Sequence, residues 1–395
     1  MCWPTDQIVA SFGRIVPIVV ACDLLACVSP RTAAPTPTTR SWADSGARGP
    51  EAEIYRTWVR YLESKRGQYS GAAGRPSPYW VQAEQRQWRV YDLAASYLPN
   101  FATPDVLSIQ RDPDLEGEYR VVTSFHSNNE NNAMRSRDVR MTVFAVPSGD
   151  GWLFGNALPR LTRTWRRDSV GPITYVMEPG YPFDRGRGER AAAFVDSLAA
   201  AFGVPPLEHL TYYLTSSVDE VYRIIGLETD KKWGPVGGLA QPVNHQLFSG
   251  IPAVGEDYRH ELTHLVILPL RMGRPTPYFV DEGVATWLGG TTGMDFPAAA
   301  RGLATFLTRH ADVTFDSIVT EHFPVAQLYP AAAVLVMLTF ERGGTDAVKA
   351  LFDAGPEIGD FRAAMERLFK RSWPSITAEW RDRVLSFAPE TARPR

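Results

Sequence analysis

His260-Glu261-Leu262-Thr263-His264, followed by Tyr278-Phe-Val-Asp-Glu-Gly-Val-Ala-Thr-Trp287, is the stretch on which the reading of this chain turns. Four residues make about one helical turn, so on a helix both imidazoles project from the same face and can chelate one ion. Glu261 is rotated away from them, toward the coordination position left open. Glu282, eighteen positions after His264, offers a third acid. Leu265-Val-Ile-Leu268 continues an apolar helix that Pro269 is expected to stop, and Pro275 and Pro277 hold the connector before a second helix that starts near Tyr278. Two antiparallel helices joined in this way bring Glu282 back beside the histidines.

The competing reading is a chance string on an amphipathic helix, its histidines being satisfied core residues. With seven histidines in 395 residues such a coincidence is rare, and a correctly spaced third acid makes it rarer. The residue types also suit one chemistry. Zinc accepts neutral imidazole nitrogen and carboxylate oxygen in tetrahedral geometry, and a catalytic site uses three protein ligands so that water takes the fourth place. His260, His264 and Glu282 fill that quota. The ion lowers the pKa of its water toward roughly 7 and polarises the scissile carbonyl. Glu261, next to the metal without binding it, is placed to take the proton and pass it to the leaving amine. A closed structural zinc site often includes cysteine, and none follows Cys27.

These two segments together resemble the gluzincin metallopeptidases, most closely the bacterial peptidase-MA-like domains related to aminopeptidase N and thermolysin. The resemblance covers about residues 165 to 390. It implies His260, His264 and Glu282 as metal ligands, Glu261 as general base, and a small mixed sheet with zinc helices followed by a helical carboxy-terminal lobe. It also implies a peptide or protein substrate. In similar enzymes a tyrosine at the start of the helix after the zinc helices hydrogen-bonds the tetrahedral oxyanion, and Tyr329, before Pro330-Ala-Ala-Ala-Val, stands in the matching place. The plainer role for Tyr329 is to cap an apolar helix. Asp281 either orients an imidazole from behind or caps its own helix.

Two departures separate the chain from aminopeptidase N. Those enzymes have one more residue between the second histidine and the glutamate, and they hold the substrate amino terminus with a Gly-x-Met-x-Asn strand and a nearby acid. Here the strand reads Val236-Gly-Gly-Leu-Ala-Gln-Pro-Val-Asn244. Gly237 and Gly238 would let an extended substrate approach an edge strand closely, but the selecting acid is missing, so aminopeptidase specificity is not expected. A catalytically silent envelope binding protein on a peptidase fold and a zinc hydrolase with a non-peptide substrate remain open alternatives. His245 is close enough in sequence to border the cleft, while His126, His209, His310 and His322 lack ligand spacing.

Working outward, 395 residues exceed one ordinary domain. The 41 basic and 44 acidic side chains nearly balance, and no basic tract interleaved with aromatics suggests nucleic acid as a partner. All three cysteines fall in the first 27 residues. Arg14-Ile-Val-Pro-Ile-Val-Val-Ala-Cys22-Asp-Leu-Leu-Ala-Cys27 is similar to a bacterial lipoprotein signal, with Cys22 or Cys27 as the lipidated residue, and it is too short to span a bilayer. The expected location is therefore the cell envelope, with a lipid anchor in the membrane. Residues 28–50, rich in Pro, Thr, Ser, Ala and Gly, form a flexible tether.

Residues 51–160 are expected to form a small α+β accessory domain: helices at Ile54–Lys65 and Tyr79–Tyr97, then strands at Tyr119–Phe125 and Val139–Val146 and a Gly149-Asp-Gly151 turn into Trp152. That order weakly resembles the cystatin-like, nuclear-transport-factor-type cone. The catalytic part, 165–390, should open with strand Ile173–Met177, a helix from Arg190 to Phe202, strand Leu210–Thr215 and helix Val218–Ile225. Helical spacing then recurs at Ala298–Arg309, Pro330–Arg342, Thr345–Phe352, Ile358–Leu368 and Ile376–Phe387. The whole chain is read as α+β.

Overall fold

The computed structural model describes residues 48–65, 77–84, 102–127, 139–229, 237–241, 244–274, 276–291, 293–321 and 323–388. The signal-like segment with Cys22 and Cys27, the tether up to residue 47, the 85–97 part of the second expected helix, Pro275 and His322 lie outside them. The described residues form two compact units, one of residues 48–166 and 215–229 and the other of 167–214 and 237–388. The architecture is mixed α and β with a helical carboxy-terminal part.

The first unit opens with helix α1 (Pro50–Ser64). Proline in its first turn and Glu51 and Glu53 beside it suit a helix amino terminus. Ile54, Trp58, Tyr61 and Leu62 form one buried stripe at helical spacing. Strands β1 (Ala102–Arg111), β2 (Tyr119–Ser127), β3 (Val139–Ser148) and β4 (Gly151–Gly155) then form an antiparallel meander, followed by the short helix α2 (Ala157–Leu161). The Trp58 indole N–H donates to Thr123 on β2 at 2.7 Å and its ring meets Phe154 on β4 edge-on at 4.8 Å, fixing α1 on the sheet. An edge-on pair of this kind adds about 1 kcal/mol beyond burial. Residues 79–84 are not the start of a helix as expected. Trp80 bridges to Phe154 and only Gln82–Glu84 make a 3₁₀ turn. Burial of the Trp80 ring against the sheet outweighs its helical spacing.

The chain enters the second unit through β5 (Arg166–Val170), β6 (Ile173–Met177), α3 (Arg185–Phe202) and β7 (Leu210–Leu214). Asp184 caps α3 by accepting from the Arg187 N–H at 3.1 Å, and Gly203 closes it in the left-handed region. The chain next returns to the first unit for α4 (Val218–Ile224) and β8 (Leu227–Thr229), where β8 pairs antiparallel with β3. The sequence places this stretch in the catalytic part. Strand pairing decides otherwise, because a three-residue strand gains its ladder only from the partner that reaches it.

Back in the second unit, β9 (Gly238–Gln241) and β10 (Gln246–Ser249) complete a sheet of order β5-β6-β7-β10-β9, parallel from β6 to β10 and antiparallel at the β9 edge. One continuous core joins Ile173, Tyr175, Leu210 and Tyr212 of the sheet to Ala191, Val195, Leu198 and Phe202 of α3. Tyr175 donates to the Glu256 carbonyl at 3.1 Å, Tyr212 donates to the Gly255 carbonyl, and the buried Glu256 carboxylate accepts from the Asp184 N–H at 2.9 Å. These contacts hold the loop that delivers α5 (Arg259–Val266).

α5 does not run on to Pro269. Ile267 ends it, and Pro269 falls in the first turn of a new short helix, α6 (Leu268–Arg271), a position proline tolerates because its missing N–H has no partner there. α7 (Tyr278–Gly289) follows with Pro277 at its amino cap. The remaining helices are α8 (Phe296–Arg309), α9 (Phe315–Thr320), α10 (Val325–Leu351), α11 (Ile358–Phe369) and α12 (Trp373–Ser386). α10 contains both helices expected at 330–342 and 345–352, and its helical geometry breaks between them at Gly343 and Gly344. It also starts at Val325, more than a turn before Pro330. Among the described residues no helix is long and apolar enough to cross a membrane.

Candidate metal centre

α5 and α7 pack on each other, and α7 packs on α10, so three helices meet where the four-residue histidine pair faces inward. His260 Nε2 lies 3.2 Å from Glu282 Oε2 and 3.3 Å from His264 Nε2, and His264 Nε2 lies 3.6 Å from the same carboxylate oxygen. All three side chains are buried. They form a cluster that can hold one metal ion, and no other such group of three occurs among the described residues. Of the sequence-predicted ligands, His260, His264 and Glu282 are all brought together.

The protons on the two imidazoles decide whether a cation fits. His260 Nδ1 is 2.7 Å from the Gly290 carbonyl, which only accepts, so Nδ1 carries the proton and Nε2 offers its lone pair inward. His264 Nδ1 faces the Asp281 carboxylate at 3.2 Å, as an ion-pair contact that falls short of hydrogen-bond geometry. With that nitrogen protonated, His264 Nε2 also points a lone pair inward. Two imidazole lone pairs and a carboxylate then converge with no donor between them. A cation satisfies all three at once, and the donor set fits one.

The same negative groups that would draw a cation also draw a proton onto His264. Burial alone would lower the His264 pKa, but Asp281 and Glu282 hold it well above the ordinary histidine value. Burial would raise the Glu282 carboxyl, yet His264 and His260 keep it well below the usual carboxylate range. The Asp281 carboxyl, which burial would also raise, is held low by His264 and Arg271. Arg271 on α6 forms an ion pair with the second Asp281 oxygen. Asp281 therefore backs His264 and makes no cap bond for α7, so the capping role is not the one adopted.

Glu261 stands outside the ligand cluster on the same helix and is half-buried. Burial pushes its carboxyl up against the lowering charges of His260 and His264. Tyr329, on the first turns of α10, stacks on the His260 ring with centroids 5.8 Å apart and planes within 12°. Its hydroxyl is 2.9 Å from that of Tyr278. Burial first, then the Glu282 charge, raises its pKa far above the ordinary tyrosine value, so it remains a donor.

Gly237 precedes β9 and Gly238 begins it, and their missing side chains have a packing explanation. A Cβ at Gly237 would strike Ile251, and one at Gly238 would strike the Tyr258 ring. His245 does not join the centre: it is exposed, has φ 51° and contacts the His209 carbonyl with Nδ1 at 3.1 Å. His310 is exposed and stacks on Phe306. The His126 side chain lies outside the described residues.

The sequence reading missed Arg271, Tyr278 and the Gly290 carbonyl. A signal existed for the last. Gly289-Gly290 at the carboxy-terminal end of α7 marks a close backbone approach, since a Cβ at Gly289 would collide with the Arg259 and His260 backbone and Gly290 holds φ 75°. Nothing in the local pattern marks Arg271. Comparison of the chain with protein-family models returned no matching family, and comparison with curated proteins returned no match.

Proposed function

We propose that this chain is a zinc-dependent metallopeptidase of gluzincin type that hydrolyses peptide bonds with Glu261 as general base. The observation that carries the reading is the convergence of His260 Nε2, His264 Nε2 and a Glu282 oxygen within a buried cluster, with Glu261 beside it and outside it. An all-nitrogen-and-oxygen donor set of two imidazoles and one carboxylate suits zinc and leaves a coordination position open. When bound there, the ion supplies a Lewis acid that polarises a carbonyl and makes a water acidic.

The protein's own groups supply the rest. Glu261 takes a proton from the attacking water as its oxygen bonds to the carbonyl carbon, and returns it to the amine nitrogen as the carbon–nitrogen bond breaks. Tyr329, kept protonated, donates to the negative charge growing on the carbonyl oxygen. The β9 edge supports an extended substrate. The Gly250 N–H bonds the Gly237 carbonyl, so by antiparallel alternation Gly238 and Ala240 turn their backbone groups away from β10.

The first unit, a helix laid on an antiparallel meander, is proposed as a cystatin-like module that positions substrate or partner. The Cys22 and Cys27 segment supports attachment at the cell envelope, and loss of lipid labelling on replacing both cysteines would check it.

The direct test measures cleavage of casein and a mixed peptide library by zinc-loaded wild type and Glu261→Gln. The expected result is one bound zinc in each, and a loss in kcat of about 10²–10⁴-fold for Glu261→Gln, the usual worth of a general base. Equal activity of the two proteins overturns the role of Glu261. Bound zinc in a wild type that cleaves nothing in the library favours the binding-protein alternative.

A further inference from the structure

Two phenols stand in series at the metal centre, and the reaction proposed above uses only the inner one. The Tyr329 hydroxyl lies 2.9 Å from the Tyr278 hydroxyl, a contact in which either oxygen can be the donor. A phenol has one proton to give and oxygen lone pairs with which to receive. In the reaction proposed above the Tyr329 proton goes to the carbonyl oxygen. The 2.9 Å contact must then run the other way, with Tyr278 donating and Tyr329 accepting. Tyr278 is the first residue of α7, four positions before Glu282, so the helix that carries the ligand also sets this donor. Its ring is 46% exposed whereas Tyr329 is 8% exposed, so the pair leads from solvent to the buried centre.

We infer that Tyr278 is a positioning residue that fixes the direction of the Tyr329 hydroxyl and strengthens it as a donor toward the reacting carbonyl. The inference rests on the peptidase reading above. The physical basis is that a hydroxyl which accepts a hydrogen bond is polarised and donates a stronger one, and that an occupied lone pair leaves the proton fewer directions to take. Tyr278 touches neither ligand cluster nor water attack in this scheme. Its hydroxyl, and not its ring, is what the reaction uses.

The experiment compares full-length wild type, Tyr278→Phe, Tyr329→Phe and the double variant, each with one zinc bound. For Tyr278→Phe the expected result is a kcat lower by roughly 5–20-fold with KM unchanged, less than the 100-fold or more that follows loss of a direct oxyanion donor. In the Tyr329→Phe background the same replacement should change nothing further. A second readout does not depend on turnover. In protein labelled at the tyrosine Cζ carbon with ¹³C, the resonance that vanishes in Tyr329→Phe should shift in Tyr278→Phe, with or without zinc. An unmoved resonance overturns the hydrogen bond between the two phenols, and a moved resonance with unchanged kcat overturns the positioning role. Additive losses in the double variant overturn the coupling between the two phenols. A wild type that cleaves no peptide overturns the peptidase reading itself, and is told apart from these results because all four proteins are then inactive.

Discussion

At the scale of single residues the centre is a matter of which atom keeps its proton. His260 gives its Nδ1 proton to a backbone carbonyl, which no substitution at a side chain can remove, whereas His264 depends on Asp281 and through it on Arg271. The two imidazoles should therefore respond differently to mutation. Asp281→Asn and Arg271→Ala are each expected to weaken metal binding by about 10–100-fold, the usual cost of losing a partner behind a ligating histidine. Arg271→Ala should also lower stability by about 3 kcal/mol, because the Asp281 carboxylate is left buried without its guanidinium. Competition with a chromophoric chelator and urea unfolding check both numbers, and unchanged affinity in both variants would mean that Asp281 does not orient His264 for the metal.

At the scale of elements, α5 and α7 are set at backbone contact by Gly289. Its position allows no Cβ without collision with the Arg259 carbonyl carbon and the His260 nitrogen, so Gly289→Ala must part the two helices. The expected cost is about 1–3 kcal/mol of overpacking, with a parallel fall in metal affinity since His260 and Glu282 move apart. A variant that loses stability but binds metal as before, judged by thermal melting and titration, would show that the helix contact does not set the ligand spacing. Much at this scale is legible in the sequence. The α5 and α7 segments, the strands from Ile173 and Leu210, and the Gly149-Asp150 hairpin follow from local periodicity and turn chemistry. What is not legible depends on distant partners. Trp80 pairs with Phe154 and β8 with β3, and a local pattern contains neither partner. Pro269 misleads because it sits in a first turn, where its missing N–H has no partner, and Pro330 because α10 runs through it.

At the scale of the whole molecule the chain visits the first unit twice, so that unit is covalently discontinuous while the metal centre lies wholly in the second. Ligands on α5 and α7 cannot be gathered in an unfolded chain at this spacing, so metal binding is linked to folding of the second unit. Zinc at a hundredfold excess over its Kd adds about 2.7 kcal/mol to that unit. At about 2–4 °C per kcal/mol for a domain of this size, its melting transition should rise by roughly 5–10 °C and fall back on chelation. Calorimetry reads this directly, and a transition indifferent to chelator would mean that the folded protein gains nothing from the ion.

The central claim is that two imidazole nitrogens and one carboxylate oxygen grip a single divalent cation. It is tested most directly by counting metal in purified wild type, His260→Ala, His264→Ala and Glu282→Ala after zinc loading and removal of excess, using inductively coupled plasma mass spectrometry, with folding verified by circular dichroism. The predicted result is one zinc per folded wild-type chain and a loss of tight binding in each variant. Zinc-free wild type, or variants that keep a full equivalent, would contradict it.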